Sequence, residues 1–130
     1  MARTVVDGMN VIGSRPDGWW RDRDAAALRL LRRLQRAAAG SGEAYALVLD
    51  GRPPADVAEG EHGGVEVRYA RRRGRDAADD RIVELVAADS DPASLRVVTS
   101  DRALADRVTA LGATTEGAGA FLGRLDRLGM

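Results

Sequence analysis

The chain has 130 residues, a length that suits one domain with one core. Its 20 basic and 20 acidic residues cancel, so the net charge gives no general sign of a nucleic-acid-binding protein. There is no cysteine, no lysine and a single histidine, His62. These counts exclude disulfides, thiolate metal sites, sites that need two imidazoles, and mechanisms that need a lysine, such as Walker-A loops.

The distribution of apolar residues gives an expectation for the compartment. No apolar run approaches the ~18 residues that a membrane-spanning helix requires. The first residues lead directly into a predicted strand and show no signal-peptide pattern. Together with the lack of cysteine, this predicts a cytoplasmic protein.

The first predicted element is a buried strand that ends at Asp7. A β-branched run precedes this acid, Gly8 predicts a sharp turn, and Asn10 returns a second polar group toward the same place. Because ligands of parallel sheets bind outside the carboxyl ends of the strands, Asp7 is a candidate metal ligand or base. The alternative is that Asp7 only caps the turn into the next element.

Predicted helices and strands then follow in alternation. After a polar loop over 13–23, the pattern predicts a helix over 25–39 with Asp24 as its N-cap and a buried strand over 44–49. A loop over 52–64, long enough to contain a helical segment, leads to a strand over 65–70 near a sheet edge.

The second half of the chain continues the alternation. We expect a helix over 76–88 capped by Asp76, a strand over 95–99, a helix over 102–111, a short strand over 113–115, and a last helix that buries Phe121, Leu122, Leu125 and Leu128. This order predicts one α/β domain over residues 1–130, with a mostly parallel sheet of about five strands and helices on both faces.

Acidic side chains follow three of the predicted strands. Asp7, Asp50 and Asp101 would meet at one edge of a parallel sheet. Asp79 shares a helix face with apolar residues, where a carboxylate is costly to bury unless it is paired or bound to a cation, while Asp80 lies a quarter-turn away as a second ligand or a solvated residue. Each acid taken singly could be a cap or a turn residue.

A divalent cation would relieve the repulsion within such a cluster. Since the chain lacks cysteine and has one histidine, the ligands would be oxygen atoms, which favour Mg²⁺ or Mn²⁺. Such an ion activates water and neutralises charge on a phosphoryl oxygen.

Four segments of the chain resemble a known family. Residues 5–12, 48–51, 77–82 and 97–101 are similar, in that order, to motifs of NYN domains in the YacP-like branch of the PIN-like nuclease superfamily. Ala77 departs from the pattern, since the family usually has threonine there. The resemblance implies a PIN-like three-layer α/β/α sandwich, Mg²⁺ or Mn²⁺ held by acids, and endoribonuclease activity.

The resemblance also implies roles for individual residues. Asp7, Asp79 and Asp101 match the acidic core of the family, and Asn10 matches its paired polar residue. Asp50 and Asp80 match less firmly.

Basic and aromatic residues flank the predicted acidic edge. A run of arginines precedes the helix that carries Asp79, and the first loop adds further arginines and two tryptophans; together they are Arg71, Arg72, Arg73 and Arg75, then Arg15, Trp19, Trp20, Arg21 and Arg23. Arginine forks match phosphate geometry and indoles stack on unpaired bases, which predicts contact with RNA. The alternative is a solvated arginine face with tryptophans that attach the loop to the core.

These observations predict a metal-dependent endoribonuclease, in which Asn10 orients a ligand water or a phosphate oxygen. The alternative is a catalytically weak or inactive RNA-binding or ribosome-associated module. A haloacid-dehalogenase-type phosphohydrolase is disfavoured, because Met9 stands where that chemistry needs a second acid and the chain has no lysine. The oligomeric state is left open, since the predicted edge strand or the last helix could pair two chains.

Overall fold

The protein is described by a computed structural model that covers residues 3–51, 57–71, 74 and 76–130. Its strands are β1 (Arg3–Asp7), β2 (Ala44–Leu49), β3 (Gly60–His62), β4 (Val65–Tyr69), β5 (Leu95–Val98) and β6 (Thr114–Glu116). Its α-helices are α1 (Gly8–Gly13), α2 (Arg23–Ser41), α3 (Ala77–Ala88), α4 (Arg102–Ala110) and α5 (Ala118–Arg127). Short 3₁₀ turns cover Trp19–Arg21 and Pro92–Ser94.

The six strands form one sheet in the order β3-β4-β2-β1-β5-β6. All neighbouring pairs are parallel except β3 and β4. β1 is central: β2 pairs with it on one side, with Asp7 opposite Val48, and β5 pairs on the other side, with Val6 opposite Val98. The chain builds outward from β1 through β2 and β4, then returns to the other side of β1, so the strand order reverses between β1 and β5. Such a reversal opens a crevice at the carboxyl ends of the two strands.

Two apolar cores pack on opposite faces of this sheet. On one face, α1, α2 and α5 bury residues such as Leu34 and Phe121 against Leu47. On the other face, α3 and α4 bury Ile82 and Leu104 against neighbouring strand residues. The predicted three-layer α/β/α sandwich is therefore confirmed, with six strands where about five were expected.

The sixth strand lies within the predicted loop over 52–64. β3 pairs antiparallel with β4, with His62 opposite Val65. The intervening Gly63 and Gly64 have φ of 58° and 88°, the left-handed conformation that a tight two-residue hairpin requires. The described part of this loop, 57–64, contains a strand and no helix, and residues 52–56 lie outside the described residues. β4 is not an edge strand, because β3 covers it.

Several predicted helix ends differ from those observed. Asp22, not Asp24, caps α2: its Oδ1 accepts a hydrogen bond of 3.0 Å from the backbone N–H of Ala25. Asp76 precedes α3 but its side chain makes no capping hydrogen bond. Leu128 follows the last residue of α5 and is 57% exposed, so its predicted burial is wrong.

None of the helices formed by the described residues is long and apolar enough to cross a membrane.

Candidate functional site

Asp7 lies at the crevice where the strand order reverses. It is the last residue of β1, it is only 4% exposed, and its carboxylate does not cap α1. The hydroxyl of Thr99, which follows β5, donates a hydrogen bond of 2.8 Å to Asp7 Oδ2. The alternative that Asp7 only caps the turn does not account for this bond to Thr99.

Close packing against β2 requires a glycine at position 8. A Cβ atom at this position would lie 2.6 Å from Leu49 Cδ2 and 2.8 Å from the carbonyl oxygen of Val48. Its φ is not positive, so the sharp glycine turn predicted here is not what the fold uses. The missing side chain lets α1 start directly against the sheet and fixes the direction in which the chain leaves Asp7.

Three carboxylates interact at this edge. The pKa of Asp7 is raised to about 6, first by burial and then by the negative charges of Asp79 and Asp101, while hydrogen bonds from Thr99 and from the backbone of Asn10 oppose the shift. The pKa of the half-buried Asp79 is also raised, first by burial and then by the charge of Asp101, with Arg107 acting in the opposite direction. Asp7, Asp79 and Asp101, the three acids predicted as the core of the site, thus lie within electrostatic range of one another.

Thr99 connects two of these acids, and the sequence analysis assigned it no role. Its Oγ1 donates to Asp7 and accepts a hydrogen bond of 3.1 Å from the backbone N–H of Asp101. The Asp101 carboxylate in turn caps α4 by accepting a hydrogen bond of 3.2 Å from the N–H of Leu104. Thr99 is 3% exposed, so this bridge is shielded from water. A hydroxyl between a buried strand and an acid was the signal that could have identified it.

Asn10 joins α1 to the turn between β5 and α4. Its Oδ1 accepts a hydrogen bond of 2.8 Å from the backbone N–H of Ser100. The hydroxyl oxygen of Ser100 accepts one of 2.9 Å from the N–H of Ala118, at the start of α5. The amide oxygen of Asn10 therefore holds the fold together around the acids, which leaves Nδ2 as its polar atom for contact with a ligand.

Of the two further acids of the predicted set, Asp80 adjoins the cluster, because its charge also raises the pKa of Asp79, and Asp50 is not among the causes of either shift. Asp80 is half-buried and accepts a hydrogen bond of 3.1 Å from Arg107. Asp50 follows β2, on the side of β1 away from β5, and is exposed. Neither appears beside Asp7 as a source of its raised pKa.

The predicted RNA-binding arginines differ in their contacts. Arg15 forms an ion pair of 2.7 Å with Asp126, and Arg71 forms one of 3.0 Å with Glu84. Arg21 is exposed on the first loop. Arg72, Arg73 and Arg75 lie outside the described residues.

The two tryptophans of the first loop face different surroundings. Trp19 is half-buried and packs against the core, with the guanidinium carbon of Arg23 5.5 Å from its ring centroid. Trp20 meets the edge of Trp19 at a centroid distance of 5.9 Å and is 53% exposed. Trp19 thus attaches the loop to the core, and Trp20 keeps an indole face available to a ligand.

The acid cluster suits a divalent cation in its donor chemistry and charge. Its donors are carboxylate oxygens, which Mg²⁺ and Mn²⁺ prefer, and a cation would relieve the repulsion that raises the pKa values of Asp7 and Asp79. Within the described parts of the chain, however, no three acidic or histidine side chains stand close enough to form a ready coordination shell.

Comparison with known proteins agrees with the observed topology. The family profile of the YacP-like NYN domain matches residues 4–129. Two crystal structures of Rae1 (YacP) from Bacillus subtilis, one of them of a point mutant, share the fold at 23% and 24% sequence identity, with TM-scores of 0.80 and 0.77. Each comparison covers 98% of this chain and 75% or 76% of the other. No curated protein sequence gave a significant match. The family profile spans nearly the whole chain, and the chain belongs to the YacP-like NYN domain family.

Proposed function

We propose that this chain is an Mg²⁺- or Mn²⁺-dependent endoribonuclease, which hydrolyses RNA phosphodiester bonds at the carboxyl ends of β1 and β5. Membership of the YacP-like NYN family suggests a PIN-like ribonuclease. The observation that carries the rest is the raised pKa of Asp7, a buried carboxylate held beside two other acids. A group tuned in this way at a crevice of an α/β sheet is typical of a functional site.

Asp7, Asp79 and Asp101 would hold the ion in this proposal. A bound divalent ion lowers the pKa of its water and offsets charge that develops on the phosphoryl group. Thr99 orients the Asp7 carboxylate through Oδ2 and fixes the backbone of Asp101, so that both acids keep their positions. Asp80 is placed to join them if its pairing with Arg107 opens, whereas Asp50 would act only at the periphery.

The Nδ2 group of Asn10 is the donor that we assign to a phosphate oxygen or a ligand water. Its Oδ1 is already bonded to Ser100, so the amide orientation is set before a ligand arrives. A donor fixed in this way needs no reorganisation when charge develops in the reaction.

Binding of the RNA strand is assigned to the basic and aromatic residues near the acidic edge. The exposed Trp20 offers a surface on which an unpaired base can stack, and Arg21 is exposed next to it. The same role is proposed for Arg15 and for the arginines of 71–75, with Arg15 and Arg71 exchanging an acidic partner for phosphate.

A second candidate is a catalytically inactive RNA-binding module, which could act on the ribosome. The lack of a ready coordination shell among the described residues favours it. Such a module would bind RNA with a steep dependence on salt and would not cleave it when Mn²⁺ is added.

The test replaces Asp7 or Asp101 by asparagine and measures cleavage of single-stranded RNA with Mn²⁺. We expect each variant to lose more than about 100-fold in rate, since even supporting residues around metal ligands are worth 10–100-fold. Asp106→Asn is the matched control, because Asp106 is an exposed acid on α4, and it should cleave like the wild type. Circular dichroism verifies the fold of each variant. Full activity of both site variants would contradict the proposal, and RNA binding without any cleavage by the wild type would select the second candidate.

A further inference from the structure

A cavity of about 230 Å³ lies between α1, α2 and α5, apart from the acid cluster. Its walls combine buried apolar side chains with charged ones: Val11, Ile12, Ala26, Leu30 and Leu122, then Arg15, Asp17, Arg29 and Arg33. An apolar cavity of ~150 Å³ already accepts benzene, so this one has room for an aromatic ring.

Two of its arginines are held in place by one acid on α5. Asp126 accepts a hydrogen bond of 2.7 Å from Arg15 and one of 2.6 Å from Arg33, and these contacts lower the pKa of its carboxyl. Arg33 also donates from Nε to the carbonyl oxygen of Met130 at 2.9 Å. Each guanidinium has five N–H donors, so both arginines keep donors for another ligand while their positions stay fixed.

Arg29 supplies the positive charge that is not compensated. It lines the cavity, it is exposed, and it forms no hydrogen bond or ion pair with any of the described residues. The three arginines at the cavity are balanced by two acids, Asp17 and Asp126, which leaves a net charge of +1 around it. The combination of an apolar interior and a cationic rim suits a ligand that has a flat, largely apolar ring and an anionic group.

We propose that this cavity binds one unpaired nucleotide of the RNA substrate, with the base in the apolar interior and the phosphate against Arg29. The inference rests on the proposed function, because RNA is the anionic substrate assigned there. The position of the cavity supports it. Asp7 directly precedes α1, and the cavity wall begins at Val11, four residues further along, so about 6 Å along the helix axis, at 1.5 Å per residue, separates them. One RNA strand can therefore contact both.

Asp17 gives the cavity a polar edge. One of its carboxylate oxygens, Oδ1, accepts a hydrogen bond of 3.2 Å from the backbone N–H of Trp19, which holds the side chain at the rim. The other oxygen can accept from an amino or imino group of a base. The cavity is thus the place where this chain could select which nucleotide lies a fixed distance from the cleaved bond.

The first test compares Arg29→Ala with Arg36→Ala. Arg36 is exposed on the same face of α2, seven residues further along, and does not line the cavity. Both substitutions are made in the Asp7→Asn background with EDTA present, so that binding of a short unstructured RNA is measured by fluorescence anisotropy without cleavage. Loss of a charge-assisted hydrogen bond predicts about tenfold weaker binding for Arg29→Ala. The Arg36→Ala control loses only a distant surface charge and should change little. Equal effects of the two substitutions would overturn the proposal.

The second test separates the base from the phosphate. Adenosine 5′-monophosphate, adenosine and ribose 5-phosphate are titrated separately, and the methyl signals of Leu30 and Leu122 are followed by NMR. We expect the nucleotide to bind more tightly than either fragment and to shift both leucines. Equal binding of ribose 5-phosphate would reveal an anion site only, and a lack of any nucleotide binding would exclude RNA as the occupant; either result overturns the proposal. Because neither test involves cleavage, their failure is distinguishable from failure of the proposed activity.

Discussion

The two ends of β1 place aspartates in opposite environments. At the amino end, Arg3 donates to both carboxylate oxygens of Asp89, and the backbone N–H of Asp91 adds a hydrogen bond of 2.8 Å. These hydrogen bonds, first of all those from Arg3, lower the pKa of Asp89 to about 2. At the carboxyl end, burial and two neighbouring acids raise the pKa of Asp7 to about 6. Asp89, which contacts the first residue of β1, is thus stabilised in its charged form, whereas Asp7, the last residue of β1, is not.

The difference separates a structural acid from a candidate functional one. The charge of Asp89 is satisfied within the fold, because Arg3 links the start of β1 to the segment after α3. The charge of Asp7 has no cation among the causes that set its pKa: burial and the like charges of Asp79 and Asp101 oppose it, and the Thr99 hydroxyl and the backbone N–H of Asn10 favour it. An acid cluster that the protein leaves uncompensated is suited to an external cation.

The largest expected change in stability comes from removing the charge of Asp7 or that of Asp89. At pH 7 and without metal, Asp7→Asn should raise the free energy of unfolding by about 1–3 kcal/mol, because it removes a buried charge whose pKa is shifted by about two units. Asp89→Asn should lower the midpoint of thermal unfolding, since Arg3 loses its charged partner. Thermal and urea unfolding of the two variants measure both effects. The comparison fails if the two substitutions act in the same direction.

The contributions of Asp7 and Asp89 to stability change in opposite directions with pH. The pKa of Asp7 is higher in the folded state than in the unfolded state, so its contribution is fully present below about pH 4 and is lost as the pH rises through about 6. The gain from Asp7→Asn should therefore vanish near pH 4. The pKa of Asp89 is lower in the folded state, so its contribution is present above about pH 4 and is lost as the pH falls toward 2. A gain from Asp7→Asn that persists at pH 4 would show that charge is not its cause.

A smaller effect is expected from Thr99→Val, which keeps the shape of the side chain and removes its hydroxyl. The pKa of Asp7 should rise above about 6, because the hydrogen bond that favours its charged form is lost. Stability should fall by about 1 kcal/mol, since the N–H of Asp101 also loses its partner. Carbon NMR of the Asp7 carboxyl measures the first effect. Thr115→Val, at an exposed position of β6, is the control, and an equal pKa of Asp7 in both variants would argue against the bridge.

Much of the fold could be predicted because local patterns agreed with the tertiary structure. Apolar runs identified β1, β2 and β5, alternation of apolar and polar residues identified β4, and the short β6 was predicted one residue too early, over 113–115. β3 was missed because its residues, Gly60–His62, carry no apolar pattern and are held by pairing with β4 and a Gly63-Gly64 turn. The cap of α2 was misplaced by two residues, since Asp22 and Asp24 look alike in sequence and only the backbone geometry separates them.

The acids of the candidate site could be predicted from the sequence, but the contacts that position them could not. Asp7 and Asp101 end strands that a parallel sheet brings together, so their approach followed from topology. Thr99 donates to Asp7, 92 positions away, and accepts from the N–H of Asp101, two positions away. A hydroxyl before an acid was the only signal for this bridge, and the sequence does not show that it reaches Asp7. Gly8 is required because a Cβ atom at this position would lie 2.6 Å from Leu49 Cδ2 of the neighbouring strand. The sequence alone does not show that these two residues are so close.

The most direct test of the central claim is a crystal of the protein soaked with Mn²⁺, with the ion located by its anomalous scattering. We expect a peak at the carboxyl end of β1, in contact with Asp7, Asp79 and Asp101, and no peak at the amino end beside Asp89, where Arg3 already neutralises the acid. A peak at Asp89 with none at Asp7, or no peak at the acid cluster under conditions that support RNA cleavage, would contradict it.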